Sequence, residues 1–167
     1  MSSMLALVNT MQSIEIKEGN IKLNVTVSGD DAHVLMMYTE NGIDYSPKSP
    51  SLIFENRVLK ELTDGWFLFT IGSTTVNVST DRAVELARNA LKGYTWNANG
   101  DTVSNFKVLS EPVSVIFHPN TKGALALYPQ WTVTFYLDKV HPGGVNSISV
   151  GLWADTGEIA QIKTQNS

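Results

Sequence analysis

The chain has 167 residues, 43% of them hydrophobic and 9% aromatic, enough for one domain or two small packed modules without disulfides or metal. Its net charge is −4 and its Lys and Arg residues are scattered, so it lacks the positive stripe by which a protein displaces the counterions of nucleic acid. The absence of cysteine excludes thiol nucleophiles, disulfides, thiolate metal sites and iron–sulfur clusters.

From the N-terminus, Leu5, Val8 and Met11 recur at helical spacing and predict a short amphipathic helix over 4–12. The apolar run Met4–Val8 has no basic flank and is too short for a signal h-region. No stretch approaches the roughly 20 apolar residues needed to span a bilayer, so membrane attachment would need segments outside this chain. Ile21, Leu23, Val25 and Val27 alternate with polar residues, which predicts a half-buried strand. A turn follows at 28–31, and Val34–Thr39 reads as a strand covered on both faces. Asn41-Gly42 fits a two-residue hairpin turn, because both residues tolerate positive φ. Strands are predicted at 52–54 and 58–60, around a turn at 55–57, and over the apolar run 66–71.

A helix is predicted over 80–92. Ser79 or Thr80 can cap its first amides, Asp81 suits its positive end, and Arg88 and Lys92 suit its negative end. Ala83, Val84, Ala87, Ala90 and Leu91 form its apolar stripe, and Gly93 ends it. A loop at 97–101 leads to strands at 103–109, 113–118, 128–139 and 147–154. The last hairpin turns at Asp155-Thr156-Gly157, with Gly157 in the left-handed position, and returns over 158–163. The expected fold class is α+β. Two units, 1–78 and 79–167, would each set a helix on an antiparallel sheet, as similar units in tandem within one body.

The second unit resembles PepSY domains. The resemblance rests on the helix Ser79–Ala87, on Tyr128–Val133 as a central strand, and on the closing hairpin Trp153-Ala154-Asp155-Thr156-Gly157-Glu158-Ile159. The segments Tyr128–Trp131, Leu137–Gly143 and Gly151–Glu158 are also similar to those of uncharacterised extracytoplasmic proteins of archaea. The resemblance covers most of 66–160. It implies a regulatory or inhibitory role beside secreted or membrane proteins, with no catalytic residues to carry over.

Site chemistry is sparse. His118 and His141 each precede a proline at a strand end, and pairing of 113–118 with 128–139 would hold them apart; His33 lies in the other unit. No second ligand stands at metal-binding spacing, so the histidines read as structural or solvated. Asn97, Asn99 and Asp101 begin like a calcium loop, but Thr102 and Val108 occupy the positions that need glycine and an acid. No motif for a nucleophile elbow, zinc protease, phosphate loop or dinucleotide site occurs. Tyr136 and Trp153 fall on the polar side of their strands, among Thr132, Thr134 and Ser149, with Gly151 leaving a gap. With Tyr128 and Trp131 they form a candidate binding surface, unless that face packs on the N-terminal half. Low charge (17%) and the sequons at Asn24 and Asn77 point to a secreted or cell-surface location. The expectation is a non-catalytic interaction or regulatory module with a protein partner and no cofactor. The alternatives are an envelope hydrolase acting on peptides or glycans and a carbohydrate-binding module.

Overall fold

A computed structural model describes residues 11–166. They form thirteen strands and one helix, and divide into two compact units, residues 1–70 and 71–167.

In the first unit, strands β1 (Gln12–Glu18), β2 (Ile21–Ser28), β3 (Asp31–Glu40), β5 (Pro50–Glu55) and β6 (Val58–Asp64) lie in that order, all antiparallel, with β4 (Ile43–Tyr45) paired to β3. The turn chemistry explains the meander. Asn41 and Gly42 have φ of 51° and 78°, and Asn56 and Arg57 have 50° and 64°, so both are two-residue turns whose twist suits a hairpin. Register sorts the side chains. Ile14 lies opposite Val25 and Ile16 opposite Leu23; Val25 meets Val34, and Leu23 meets Met36. Val34 then meets Leu52, and Leu52 meets Leu62. One face is therefore aliphatic and the other largely polar. At one end Tyr45 is fully buried, edge-on to Tyr38 at 5.8 Å, and Lys48 lies over Trp66. On the polar face Lys22 bridges Asp44 at 2.8 Å and Glu15 at 3.1 Å, and these two carboxylates, Asp44 foremost, hold its ammonium above the usual lysine range.

The two-residue strand β7 (Thr70–Ile71) marks the join. In the second unit the helix α1 (Thr80–Ala90) starts at Ser79, whose hydroxyl accepts from the Arg82 amide, and Gly93 follows its end at φ 77°. A hairpin of β8 (Trp96–Ala98) and β9 (Asp101–Val103) turns at Asn99 and Gly100, both at positive φ. The main sheet runs β10 (Ser114–Lys122), β11 (Ala126–His141), β12 (Val145–Trp153) and β13 (Ile159–Asn166), each antiparallel to the next. Val133, Phe135, Ile148, Val150 and Leu152 line one face, and α1 packs on it through Ala83 and Ala87; all seven are fully buried.

The expected α+β class, with a helix over each sheet, is overturned: the chain is mostly β. Period-2 alternation runs from Gln12 to Asp64 with only turns between, so the described residues of the first unit hold no helix. The helix expected at 4–12 falls largely outside the described residues, and Gln12 is already in β1. The two units also differ in strand number and order, so no tandem repeat is shown. Two smaller expectations change as well. Of the apolar run 66–71 only Thr70 and Ile71 are strand; the Asp64 carboxylate takes the Trp66 amide and Lys48 Nζ donates to the Trp66 and Phe69 carbonyls, bending the segment. Segment 104–109 is irregular except for a bridge from Val108 to Leu137.

Candidate functional site

The face of the β10–β13 sheet opposite α1 carries the polar alternates. Register sets Thr132 beside Gly151, Thr134 beside Ser149 and Tyr136 beside Ser147, with Ile116 and Ser114 on one flank and Gln161, Lys163 and Gln165 on the other. Small residues down the middle and longer ones on both sides make a trough. Its open part, about 490 Å³, is floored by Thr132, Thr134, Ser147 and Ser149 and walled by Ile116, Tyr136 and Gln165. Gly151 belongs to this shape. A Cβ there would stand 3.0 Å from Gln161 Cγ and 3.5 Å from Gln130 Cδ, so a side chain would push Gln161 aside and rest against Gln130.

The floor is pre-ordered. Thr134 and Ser149 share a hydrogen bond of 2.7 Å, Ser147 donates to Gln165 at 3.3 Å, and Asn120 donates to the buried Gln130 at 2.9 Å. His118 Nε2 lies 3.0 Å from Thr132 Oγ1, and its Nδ1 lies 3.3 Å from the Pro119 carbonyl. The histidines are spread out. His118 opposes Gln130 in the body of the sheet, whereas His141 ends β11 beyond a bulge and donates to Asp138 at 3.1 Å. That contact is the main cause of an Asp138 carboxyl held below the usual carboxylate range, with the Lys107 amide adding to it. In the first unit His33 pairs with Ser51 at 2.8 Å. Among the described residues, no group of three or more His, Asp and Glu could hold a metal ion.

Tyr136 is 48% exposed and stands at the trough. Tyr128 and Trp153 share its face of the sheet but sit towards the other end, edge-to-face at 5.9 Å. There the Lys122 ammonium lies 5.5 and 5.3 Å from their rings and 3.3 Å from Glu158. Trp153 is buried. Trp131 points to the helix side, tilted on Phe117 at 4.7 Å, and its indole N–H donates to the Val78 carbonyl. The four aromatics named from the sequence therefore do not form one strip. The His118–Thr132 and Thr134–Ser149 pairs escaped sequence reading, because cross-strand register alone brings them together.

A larger cavity, about 640 Å³, opens at the C-terminal end of α1 between Arg88, Lys92, Tyr94, Ser104 and Phe106. Its guanidinium is committed: Arg88 donates to the Leu109 and Ser110 carbonyls and covers the Phe135 ring. The cavity also sits at the negative end of the helix, which opposes an anionic ligand. The trough is lined by more hydroxyl and amide side chains than this cavity.

The site thus belongs to an antiparallel β module with a helix on one face and a polar trough on the other. No protein-family model matches the chain, and no curated protein matches it. Among solved structures it is similar to the Bacillus megaterium YpeB C-terminal domain, at 11% identity over 98% of this chain and 93% of that one, with a TM-score of 0.38. With this, the PepSY resemblance stands as a weak likeness only, and nothing supports an archaeal origin.

Proposed function

We propose that the chain is a non-catalytic interaction module of a secreted or cell-surface protein, and that the β10–β13 trough receives an extended segment of a protein partner. The trough's row of small hydroxyl residues between longer amide side chains carries the reading. An extended chain lying along it would meet hydroxyl and amide partners at the strand repeat of roughly 6.6 Å for every second residue. A sugar platform would need a run of open aromatic faces, and Tyr136 alone of the four candidates is largely exposed. The low charged fraction, 17%, suits an extracytoplasmic setting. Among the described residues no helix is long and apolar enough to cross a membrane.

Arrayed peptides and envelope glycans, probed with the wild type and Tyr136→Ala, test this. Expected is a peptide subset whose binding weakens about tenfold in the variant, the loss of one rim contact. Binding confined to glycans would transfer the trough to carbohydrate recognition.

One observation favours a hydrolase as a second reading. His118, oriented by a backbone carbonyl, faces the Thr132 hydroxyl as a base faces a nucleophile. Against it, the carboxylate that would complete a triad is replaced by the Pro119 carbonyl. Turnover of any arrayed peptide or glycan that His118→Ala abolishes would establish the hydrolase and remove the non-catalytic reading.

A further inference from the structure

The aliphatic face of the first unit's sheet is open. Ile14 and Ile16 on β1 are 54% and 53% exposed, and Leu59 and Leu62 on β6 are 46% and 63% exposed. Between them Leu23, Val25, Val34, Met36, Leu52 and Phe54 are only half-buried. All ten share one face by register. Lone exposed aliphatics need no explanation, but a contiguous set across five strands does. With four residues about half exposed and six more half-buried, this face presents apolar surface on the order of 600 Å², the upper end of the ~300–600 Å² of the largest patch on a typical monomer.

We propose that this face is a homodimer interface, on which a second copy of the chain packs sheet to sheet. Area is the first argument: two such patches facing each other bury on the order of 1,200 Å², the lower end of what a stable interface needs. The second is symmetry. β3 is the central strand of five, with comparable aliphatic weight on its two flanks, in β1 and in β6. A two-fold axis running along β3, between the sheets, sets the isoleucines of β1 over the leucines of β6 twice. The third is chemistry. The middle of the patch is Val, Leu and Met without a charge, which gives a foreign partner no polar register. Such side chains interdigitate across the ~10 Å gap of a β-sandwich. The interface is independent of the trough proposed above, which lies in the other unit.

Sedimentation equilibrium of the full chain, from about 1 to 100 µM, tests it. The expected result is a dimer with a dissociation constant in the micromolar range or below. The double variant Ile14→Lys/Leu62→Lys changes two exposed positions, so its far-UV circular dichroism should match wild type. Its dimerisation should weaken at least about 100-fold, since two charges from each copy would enter the apolar gap. Glu61→Lys, on the polar face, should dimerise as wild type does. A wild type that stays monomeric at the top concentration, with the patch covered by its own chain or left for another partner, overturns the proposal. So does a dimer that the double variant leaves intact or that Glu61→Lys disrupts.

Discussion

Tyr45 shows how a single buried group sets a pH limit. Its side chain is fully buried in the first unit, and that burial pushes the phenol up to about 12. In the unfolded chain a tyrosine ionises near 10. Between these values the folded state keeps a proton that the unfolded state releases, so stability falls as pH rises from about 10 towards 12. The loss reaches about 2–3 kcal/mol at roughly 1.4 kcal/mol per pH unit of displacement. Urea midpoints at pH 9 and 11 should therefore separate clearly in wild type and far less in Tyr45→Phe. A smaller slope remains in the variant, because Tyr38, bonded to Glu40, is also raised. Asp138 has the opposite sign. With its carboxyl lowered by His141, its contribution is complete at neutral pH and is lost as pH falls through the depressed value. Asp138→Asn should lower the melting temperature more at pH 7 than at acid pH, where the carboxyl becomes protonated; an equal loss at both would detach the effect from the carboxylate. Asn77 was legible only as a sequon. Its side-chain amide donates to the Asp155 carbonyl at 2.9 Å, and Ser79 of the same tripeptide caps α1. A glycan would be attached to the same nitrogen that makes this structural hydrogen bond, leaving it one N–H to donate.

Elements with strong local signals were legible, and those shaped by distant contacts were not. The α1 helix carried cap, charges, stripe and stop in one stretch, and it forms with Ala83 and Ala87 fully buried against β11 and β12. Ala87→Asp should cost about 3 kcal/mol or more, because a charge would be forced against Val133 and its neighbours. A melting temperature equal to wild type would show that this face is not held against the sheet. The closing hairpin was also legible. Gly157 has φ 78°, and its amide donates to the Trp153 carbonyl at 2.7 Å, while the Glu158 amide donates to the Thr156 hydroxyl at 3.3 Å. A Cβ at Gly157 would meet Leu86 at 3.0 Å, so Gly157→Val combines backbone strain with a clash into the helix, about 2 kcal/mol or more by chemical unfolding. By contrast β1 was missed, since an apolar recurrence over Leu5, Val8 and Met11 suggested a helix running to residue 12, where a strand begins. The run 66–71 was misread because composition cannot show that Lys48 binds two of its carbonyls. Half of the trough was visible as polar alternation along β11 and β12. Its flanks come from β10 and β13, whose register no local pattern fixes.

Taken whole, the chain is two antiparallel β units with one helix among the described residues, and its pairing order has a kinetic consequence. β1 pairs with β2, β2 with β3, β5 with β6, and each strand from β10 to β13 with the next. Most of the ladder therefore closes across short connections, several of them two-residue turns already biased by Asn and Gly. β-sandwiches fold slowly, in milliseconds to seconds, because distant strands must find each other before any contact rewards the search. Here the loops to be closed are short, and each hairpin can template its neighbour. Stopped-flow refolding followed by tryptophan fluorescence should show a main phase of about 10 ms or faster, once slow proline isomerisation is separated by a double-jump protocol. A main phase of seconds with all prolines native would mean that assembly waits on some long-range event instead of zipping from turn to turn.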